Sequence, residues 1–322
     1  MDLLSLRLGG FNLATLAVAV GAFHLARVAF SFLILLRNTY LRPATNLAKF
    51  GAGKGAWAVV TGASDGIGKE FALQLARAKF NVVILARTKS KLDTLAAEIK
   101  AAGGSEVVVH PFDFSATDQP TWSALAAVLA PLNVSVLINN VAVNHAFPTP
   151  FAEEDPALLD SIVTVNVGAQ VRLTRMLLPG MVAARRGLVI NVGSIAGLVP
   201  SAYLAAYSGA KAFLRTWSRS LAEEVAPKGV RVQHVNTHFV ATAMSKLRKA
   251  TWLAPTPKAY VRSVIASAGA NADGTPYPSH AIITWVLNTF VPEGAAIAKS
   301  RDMHLDIRRR ALRKMAREAK RE

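Results

Sequence analysis

The 322-residue sequence contains no cysteine, and its acidic residues are few, 20 against 37 lysines and arginines. The absence of cysteine excludes disulfide bonds, thiolate metal sites and a cysteine nucleophile, and we predict no metal site. The formal net charge of +17 favours an anionic partner, either a lipid surface or a phosphorylated small molecule. Nucleic acid is the poorer candidate, because no helix-turn-helix, zinc-finger or RNA-binding signature accompanies the charge.

One long apolar run extends from Phe11 to Leu36, within an overall apolar content of 52%. It exceeds the roughly 20 residues that a helix needs to cross a bilayer. Arg27 and His24 oppose insertion, but the apolar side chains outweigh one off-centre arginine that can extend to the interface. We therefore expect a single-pass anchor, with an amphipathic helix lying on the membrane as the alternative.

Positive charges flank this run unequally. One arginine, Arg7, precedes it, whereas four cations follow it: Arg37, Arg42, Lys49 and Lys54. Because the more basic flank of a membrane span stays in the cytosol, we expect the downstream chain to face the cytosol.

Downstream of a linker that ends at Gly55, short apolar runs alternate with helix-like stretches. The runs predict buried strands at Trp57–Val60, Val82–Leu85, Val107–Val109, Val134–Ile138, Leu188–Val192 and Val230–Val235. The stretches predict helices at Gly66–Ala78, Lys89–Ala102, Gln119–Ala130, Pro156–Met181 and Tyr203–Ala226. This alternation predicts an α/β fold with a Rossmann-type, doubly wound parallel sheet. The expected domains are an anchor and linker over 1–55, a Rossmann domain over 56–280, and an apolar segment with a basic tail over 281–322.

A glycine-rich segment follows the first predicted strand and opens a helix, with glycines at Gly62, Gly66 and Gly68. These glycines permit a tight turn and a close approach of the backbone to a pyrophosphate, which the helix N-terminus attracts. At the end of the second strand, NAD sites usually carry an acidic residue for the ribose hydroxyl. This sequence has Arg87 there, and Arg87 with Lys69 or Lys89 suits a 2′-phosphate. We therefore predict NADP(H) as the cofactor.

Ser194, Tyr207 and Lys211 form the candidate catalytic group. Tyr207 and Lys211 are four residues apart and share one face of a predicted helix. An adjacent ammonium lowers the pKa of a phenol, so that Tyr207 can exchange a proton with a hydroxyl or carbonyl near neutral pH. Ser194 follows the fifth predicted strand and can hydrogen-bond the same oxygen. The combination indicates carbonyl reduction.

Together these motifs resemble the short-chain dehydrogenase/reductase family over roughly Ala56 to Thr242. Further family motifs are matched by Asp113 and by Val165-Asn166-Val167. The family's Asn-Asn-Ala-Gly motif appears as Asn139-Asn140-Val141-Ala142, which differs from it at the last two residues. The sequence departs from the family after the sixth strand, where Asn236–Thr242 lacks the usual Pro-Gly. The missing proline leaves the shape of this loop open.

The resemblance implies a role for each matched residue. Tyr207 would be the acid, Lys211 would lower the pKa of Tyr207 and hold the ribose, and Ser194 would orient the carbonyl. Asn166 would support the proton relay, and Ser194 and Tyr207 would contact the substrate. The implied cofactor contacts are Gly62, Ser64, Asp65, Gly66, Ile67, Gly68, Arg87, Asp113, Asn140, Tyr207, Lys211, Val240 and Thr242.

The sequence resembles one branch of the family more than the rest, namely the microsomal reductases that act on very-long-chain 3-oxoacyl-CoA. The similarity rests on the apolar N-terminal run, Leu178–Met181, Phe239–Thr242 and Pro278–Ala281. It implies an endoplasmic-reticulum enzyme that reduces 3-oxoacyl-CoA to (3R)-3-hydroxyacyl-CoA with NADPH, beside the other enzymes of fatty-acid elongation and as a homo-oligomer in many relatives. A steroid or other lipophilic ketone is the alternative substrate. A non-catalytic scaffold for the elongation enzymes is the alternative function.

Three regions near the C-terminus have more than one interpretation. Lys246, Arg248 and Lys249 either bind the phosphates of CoA or form a solvated helix face. The apolar run Ala281–Val291 is too short to span a bilayer, so it enters the membrane interface, lines an acyl tunnel or packs on the core. The basic stretch Arg308–Arg321 either lies on an anionic leaflet or is a solvated tail.

Overall fold

A parallel sheet is the centre of the molecule. The computed structural model describes residues 7–8, 11–102, 105–247 and 249–320. Within them a two-stranded hairpin, β1 (Arg7–Leu8) and β2 (Phe11–Asn12), precedes the main sheet. The strands of the main sheet are β3 (Trp57–Thr61), β4 (Asn81–Ala86), β5 (Val107–Pro111), β6 (Val134–Asn139), β7 (Gly187–Val192), β8 (Val230–Val235) and β9 (Asp273–Gly274).

The order of the strands indicates at which edge of the sheet a ligand binds. They run β5-β4-β3-β6-β7-β8-β9, and all neighbours are parallel. Winding reverses between β3 and β6, and ligands bind such sheets at the carboxyl ends of the strands beside that switch point. The doubly wound parallel sheet predicted from the sequence is therefore confirmed. The two-residue β9 was not predicted, because Asp-Gly is a turn sequence with no apolar run.

Helices cover both faces of the sheet. After α1 (Leu13–Leu36), they are α2 (Gly66–Arg77), α3 (Lys89–Ala101), α4 (Gln119–Leu129), α5 (Pro156–Val163), α6 (Ala169–Ala183), α7 (Ala205–Val225), α8 (Pro257–Ala266), α9 (Pro278–Phe290) and α10 (Glu293–Glu318). Successive side chains of a strand point to opposite faces. Ala58 and Val60 accordingly pack in one core with α2, α3 and α8, whereas Trp57 and Val59 pack in the other with α4, α6 and α7.

Two predicted helices differ from the structure in ways that matter for the site. The helix predicted over Pro156–Met181 is α5 and α6 joined by a π-helical turn, Thr164–Gly168. The helix predicted from Tyr203 begins at Ala205, because Tyr203 adopts a left-handed φ of +67°. Both irregular segments lie beside candidate catalytic residues.

The N-terminal helix α1 is long and apolar enough to cross a membrane, and none of its residues is buried. The C-terminal helices pack on the rest of the chain in a definite arrangement. The predicted domain boundary at residue 280 falls inside α9. The His304 ring of α10 hydrogen-bonds the Ala202 carbonyl at 2.8 Å, and Arg308 forms a 2.7 Å ion pair with Glu153. Residues 293–318 are therefore a docked helix, and Arg321 lies outside the described residues.

Candidate active site

The three candidate catalytic residues meet at the carboxyl end of β7. Ser194 follows β7 and caps a short 3₁₀ turn, with its Oγ accepting a hydrogen bond from the Ala196 N–H at 3.1 Å. Tyr207 and Lys211 lie one turn apart near the start of α7, and both are buried. The Lys211 amine lies 5.7 Å from the centre of the Tyr207 ring and donates a 2.8 Å hydrogen bond to the Val192 carbonyl. The structure thus brings the predicted group together.

Burial dominates the ionisation of this group. It raises the pKa of the Tyr207 phenol, while a hydrogen bond with Ser194 acts in the opposite direction. Burial also lowers the pKa of the Lys211 ammonium to about 8. The raised pKa of Tyr207 is opposite to the direction expected from the sequence. The reason is that burial disfavours the charged phenolate and outweighs the hydrogen bond with Ser194.

Asn166 lies in the π-helical turn and is fully buried. Its side-chain oxygen accepts a 2.7 Å hydrogen bond from the Val143 N–H, and its amide nitrogen donates a 2.8 Å bond to the Val143 carbonyl. The whole carboxamide is therefore used to hold the loop after β6. The geometry gives the Asn166 side chain a positioning contact beside the catalytic group.

The glycine-rich loop between β3 and α2 is packed so closely that side chains do not fit. A Cβ on Gly68 would lie 2.1 Å from the Gly62 carbonyl oxygen, and a Cβ on Gly62 would lie 2.9 Å from the Asn140 side-chain nitrogen. Asn140 donates to the carbonyls of Thr61 and Gly62 at 3.0 and 3.2 Å, so its side chain braces the loop. Gly66 adopts a left-handed φ of +54°.

The same loop opens α2 beside the segment that follows β8. Asp65 is exposed and caps α2, Ser64 is half-buried, and Ile67 packs against the core. A Cβ on Gly66 would lie 3.1 Å from the Thr242 methyl group. A cavity of about 620 Å³ opens here, lined by Asp65, Gly66, Ala241, Thr242, Ala243, Lys246, Leu247, Pro257 and Lys314.

Of the three cations proposed for a 2′-phosphate, two already have carboxylate partners. Lys69 binds Glu98 at 2.8 Å, and Lys89 binds Asp93 at 2.8 Å. Arg87 is exposed directly after β4 and has no salt bridge among the described residues. A guanidinium without a salt-bridge partner among the described residues fits a phosphate on the adenosine ribose at this position.

Asp113 follows β5 and is exposed at the same edge of the sheet. Hydrogen bonds from the backbone and the hydroxyl of Ser115 lower its pKa, and the nearby charge of Arg87 acts in the same direction. Burial raises the pKa of Asp113, but these contacts together outweigh it. Asp113 is therefore a carboxylate at neutral pH and can accept hydrogen bonds. The close-packed glycines, Arg87 and Asp113 together fit a phosphorylated dinucleotide.

The loop after β8 is held by side chains in place of the missing proline. The Thr237 and Tyr260 hydroxyls hydrogen-bond at 2.6 Å, and the Thr237 carbonyl accepts a 2.8 Å bond from the Ile195 N–H beside Ser194. His238 stacks on His280 with ring centres 4.8 Å apart. The loop that carries Val240 and Thr242 is therefore fixed without proline. Sequence reasoning missed these residues, although the Pro278–Ala281 motif contains His280.

Of the cations after Thr242, Lys246 faces the cavity and Arg248 lies outside the described residues. The Lys246 amine also donates a 2.8 Å hydrogen bond to the Ala146 carbonyl, which links this segment to the loop after β6. Lys314 of α10 lines the same cavity. The C-terminal helix therefore brings a cation to the cavity from far along the chain.

A second buried polar cluster lies behind β7 and was also missed. The ring of His234 hydrogen-bonds Asp273 at 3.0 Å, and Arg215 binds the other carboxylate oxygen at 2.7 Å. A Cβ on Gly193 would lie 2.0 Å from the His234 ring, so the cluster packs directly behind the residue that precedes Ser194. Burial raises the pKa of Asp273, but the contacts with His234 and Arg215 outweigh it and lower the pKa to about 2.

Comparison with known proteins agrees with this geometry. The family model described as short chain dehydrogenase matches residues 56–252. A very-long-chain 3-oxoacyl-CoA reductase of Laccaria bicolor is 46% identical over 96% of this chain and 94% of its own length. The enzyme of the same name from Coprinopsis cinerea is 44% identical over 95% and 93%.

A solved short-chain dehydrogenase from Sphingobium yanoikuyae, in complex with NADPH, is 26% identical with a TM-score of 0.62. The match covers 69% of this chain and 87% of that structure. Because the family model spans more than half of the chain and the fungal relatives align along almost all of it, the chain belongs to the short-chain dehydrogenase family.

Proposed function

We propose that this chain is an NADPH-dependent reductase that converts very-long-chain 3-oxoacyl-CoA to 3-hydroxyacyl-CoA. The observation that carries the proposal is that Ser194 meets the buried Tyr207 and Lys211 beside a glycine loop that is compatible with a phosphate. The names of the fungal relatives supply the substrate class. The chain aligns with them along nearly their whole length, including the C-terminal helices.

In this proposal each catalytic side chain has one task. Tyr207 donates its phenolic proton to the ketone oxygen of the substrate, and the Ser194 hydroxyl donates a hydrogen bond to the same oxygen. Lys211 holds positive charge close to the phenol, which favours loss of the proton. Asn166 keeps the loop after β6 in place through Val143. When bound, NADPH supplies the hydride that adds to the carbonyl carbon.

The cofactor contacts remain those expected from the sequence. Arg87 would bind the 2′-phosphate, because Lys69 and Lys89 are already paired with carboxylates. The N-terminus of α2 would receive the pyrophosphate. The other proposed contacts are Gly62, Ser64, Asp65, Gly66, Ile67, Gly68, Asp113, Asn140, Tyr207, Lys211, Val240 and Thr242.

The CoA moiety carries phosphates and requires cations near the opening of the site. Lys246 and Lys314 both line the cavity beside Gly66, and they belong to two separate segments of the chain. We propose that these two amines bind phosphate groups of the acyl-CoA. The Lys314 amine lies 3.6 Å from the Glu318 carboxylate, a long and exposed contact that it would exchange for phosphate. The position of Lys246 and Lys314 is compatible with access from solvent, since both side chains are exposed.

We also propose that α1 anchors the enzyme in the endoplasmic-reticulum membrane with the catalytic domain in the cytosol. The support is the length and apolar surface of α1, together with the cations that follow it. Association with the other enzymes of elongation, and with a second copy of the chain, belongs to the same proposal.

The deciding experiment measures NADPH oxidation by the detergent-purified full chain. One assay offers a long-chain 3-oxoacyl-CoA and another offers a keto-steroid. We expect turnover on the thioester and little on the steroid. The opposite preference would retain the reductase chemistry and remove the proposed substrate.

The Tyr207→Phe variant, which keeps the ring but removes the proton, serves as the control for mechanism. We expect its turnover to fall by at least about 100-fold, the lower end of what a general acid contributes. Unchanged turnover would remove Tyr207 from the mechanism. Absence of turnover in the unaltered chain on every ketone, with NADPH still bound, would favour the scaffold alternative.

A further inference from the structure

The short apolar helix α9 lies against the helix proposed as the membrane anchor. The Trp285 indole N–H of α9 donates a 2.9 Å hydrogen bond to the Ser31 hydroxyl of α1. The Trp285 ring also packs on Phe32 with ring centres 5.1 Å apart. These contacts fix α9 beside the C-terminal part of α1.

The depth of this contact along α1 is informative. The 24 residues of α1 extend about 36 Å, whereas the hydrocarbon core of a bilayer is about 30 Å thick. Ser31 lies about 8 Å before the C-terminal end at Leu36. With α1 centred in the bilayer, Trp285 therefore lies about 5 Å inside the boundary between hydrocarbon and headgroups, close to the interface where tryptophan is enriched in membrane proteins.

The exposed residues of α9 are Val286, Asn288 and Phe290, and the two apolar ones, Val286 and Phe290, lie one turn apart on the same side of the helix. Phe290 is 58% exposed and Val286 is 39% exposed, although both are large hydrophobic side chains. Phe290 also packs edge-to-face on Trp285 with ring centres 5.3 Å apart. The exposed apolar side is thus continuous with the contact to α1.

We infer that α9 docks in the interface of the bilayer that α1 enters, with Val286 and Phe290 inserted among the acyl chains. The inference rests on the proposed anchoring by α1, and it chooses one of the three interpretations that the sequence leaves open. Lipid is favoured over a second copy of the chain, because α9 is bound to a helix whose surface is itself apolar and wholly unburied.

The docked helix also contacts the loop that precedes α8. In its first turn, Ser279 donates a 2.7 Å hydrogen bond to the Trp252 carbonyl, and His280 bonds the Leu253 carbonyl at 3.2 Å. The side chains of Trp252 and Leu253 are 62% and 52% exposed. A membrane-docked α9 would therefore hold this apolar loop near the lipid surface, so that a long acyl chain can reach the site from the bilayer.

The test uses the absence of cysteine in the sequence. Phe290→Cys is labelled with an environment-sensitive fluorophore in the full chain, reconstituted into phosphatidylcholine vesicles. A fraction of the phospholipid carries a nitroxide quencher near the headgroup end of its acyl chain. Matched labels at Leu33→Cys in α1 and Ser90→Cys, an exposed residue of α3, serve as controls. Each variant must retain NADPH binding, which shows that it is folded.

We expect the label at residue 290 to be quenched as strongly as the label at 33, and severalfold more than the label at 90. Quenching at 33 with residue 290 equal to 90 would overturn the docking of α9 and leave the anchor intact. A second copy covering α9 would give that same result. Absence of quenching at both 33 and 290 would overturn the anchor and the docking together.

Discussion

Replacement of Lys211 by methionine should reveal how much stability the buried ammonium costs. Lys211 is 2% exposed, and burial lowers its pKa from 10.5 to about 8. Between these two pH values the unfolded chain binds more protons at this residue than the folded protein does, so stability rises with pH. Below pH 8 the buried ammonium lowers the free energy of unfolding by its full amount, and above pH 10.5 this effect is absent.

The magnitude follows from the size of the shift. A change of one unit in pKa corresponds to about 1.4 kcal/mol, so the total cost is about 3 kcal/mol at neutral pH. Between pH 7 and pH 9.5 the wild type should recover about 2 kcal/mol relative to Lys211→Met. The variant also loses the hydrogen bond to the Val192 carbonyl, whose dependence on pH is already contained in the shifted pKa of Lys211.

The assay is thermal unfolding of the detergent-purified full chain at pH 7 and pH 9.5, followed by tryptophan fluorescence. We expect the difference in Tm between the wild type and Lys211→Met to shift by several degrees in favour of the wild type at the higher pH. Lys91→Met, at an exposed residue of α3, is the matched control and should have the same Tm as the wild type at both pH values. A difference between wild type and Lys211→Met that is constant with pH would refute the reasoning.

Three further predictions test other parts of the site. Arg87→Ala should raise KM for NADPH about 10- to 100-fold, as expected from loss of a charge-assisted contact, and should leave KM for NADH unchanged. The control Lys89→Ala should alter neither KM. Equal effects of the two variants would contradict the assignment of Arg87 to the 2′-phosphate. The double variant Lys246→Glu and Lys314→Glu should raise KM for acyl-CoA and not for a CoA-free ketone, and equal increases would exclude a CoA contact. Asp273→Asn should lower stability at neutral pH by about 2 kcal/mol, because contacts hold the pKa of Asp273 at about 2. The difference in stability between wild type and Asp273→Asn is complete above about pH 4 and should narrow as the pH falls towards 2. A Tm difference between the two proteins that is the same at pH 7 and pH 3 would contradict this prediction.

The buried polar clusters explain why sequence reasoning found the catalytic group but not what holds it. Lys211 and Tyr207 are recognised because they are close in sequence and share a helix face. His234 and Asp273 are 39 residues apart, and Arg215 is 58 residues from Asp273. Nothing in the local sequence indicates that these three side chains will meet.

The same distinction applies to the loop after β8. The absence of proline left the conformation of the loop open in the sequence. The loop is fixed by contacts between Thr237 and Tyr260 and between His238 and His280. Burial lowers the pKa of His238 to about 3, and the neighbouring His280 adds to this effect. The stacked pair is therefore neutral at physiological pH and packs like two aromatic rings.

By itself the sequence determined the parallel sheet, the glycine loop and the catalytic spacing. Each depends on residues that are near one another along the chain: apolar runs, turn-forming glycines and a helical repeat. Tertiary structure decided which cation is free for a phosphate, which way the Lys211 amine points, and where α9 and α10 lie. Trp285 and Ser31 are 254 residues apart, yet they form one hydrogen bond. Such contacts depend on how whole elements pack, because burial and pairing are properties of the assembled structure and of no single segment.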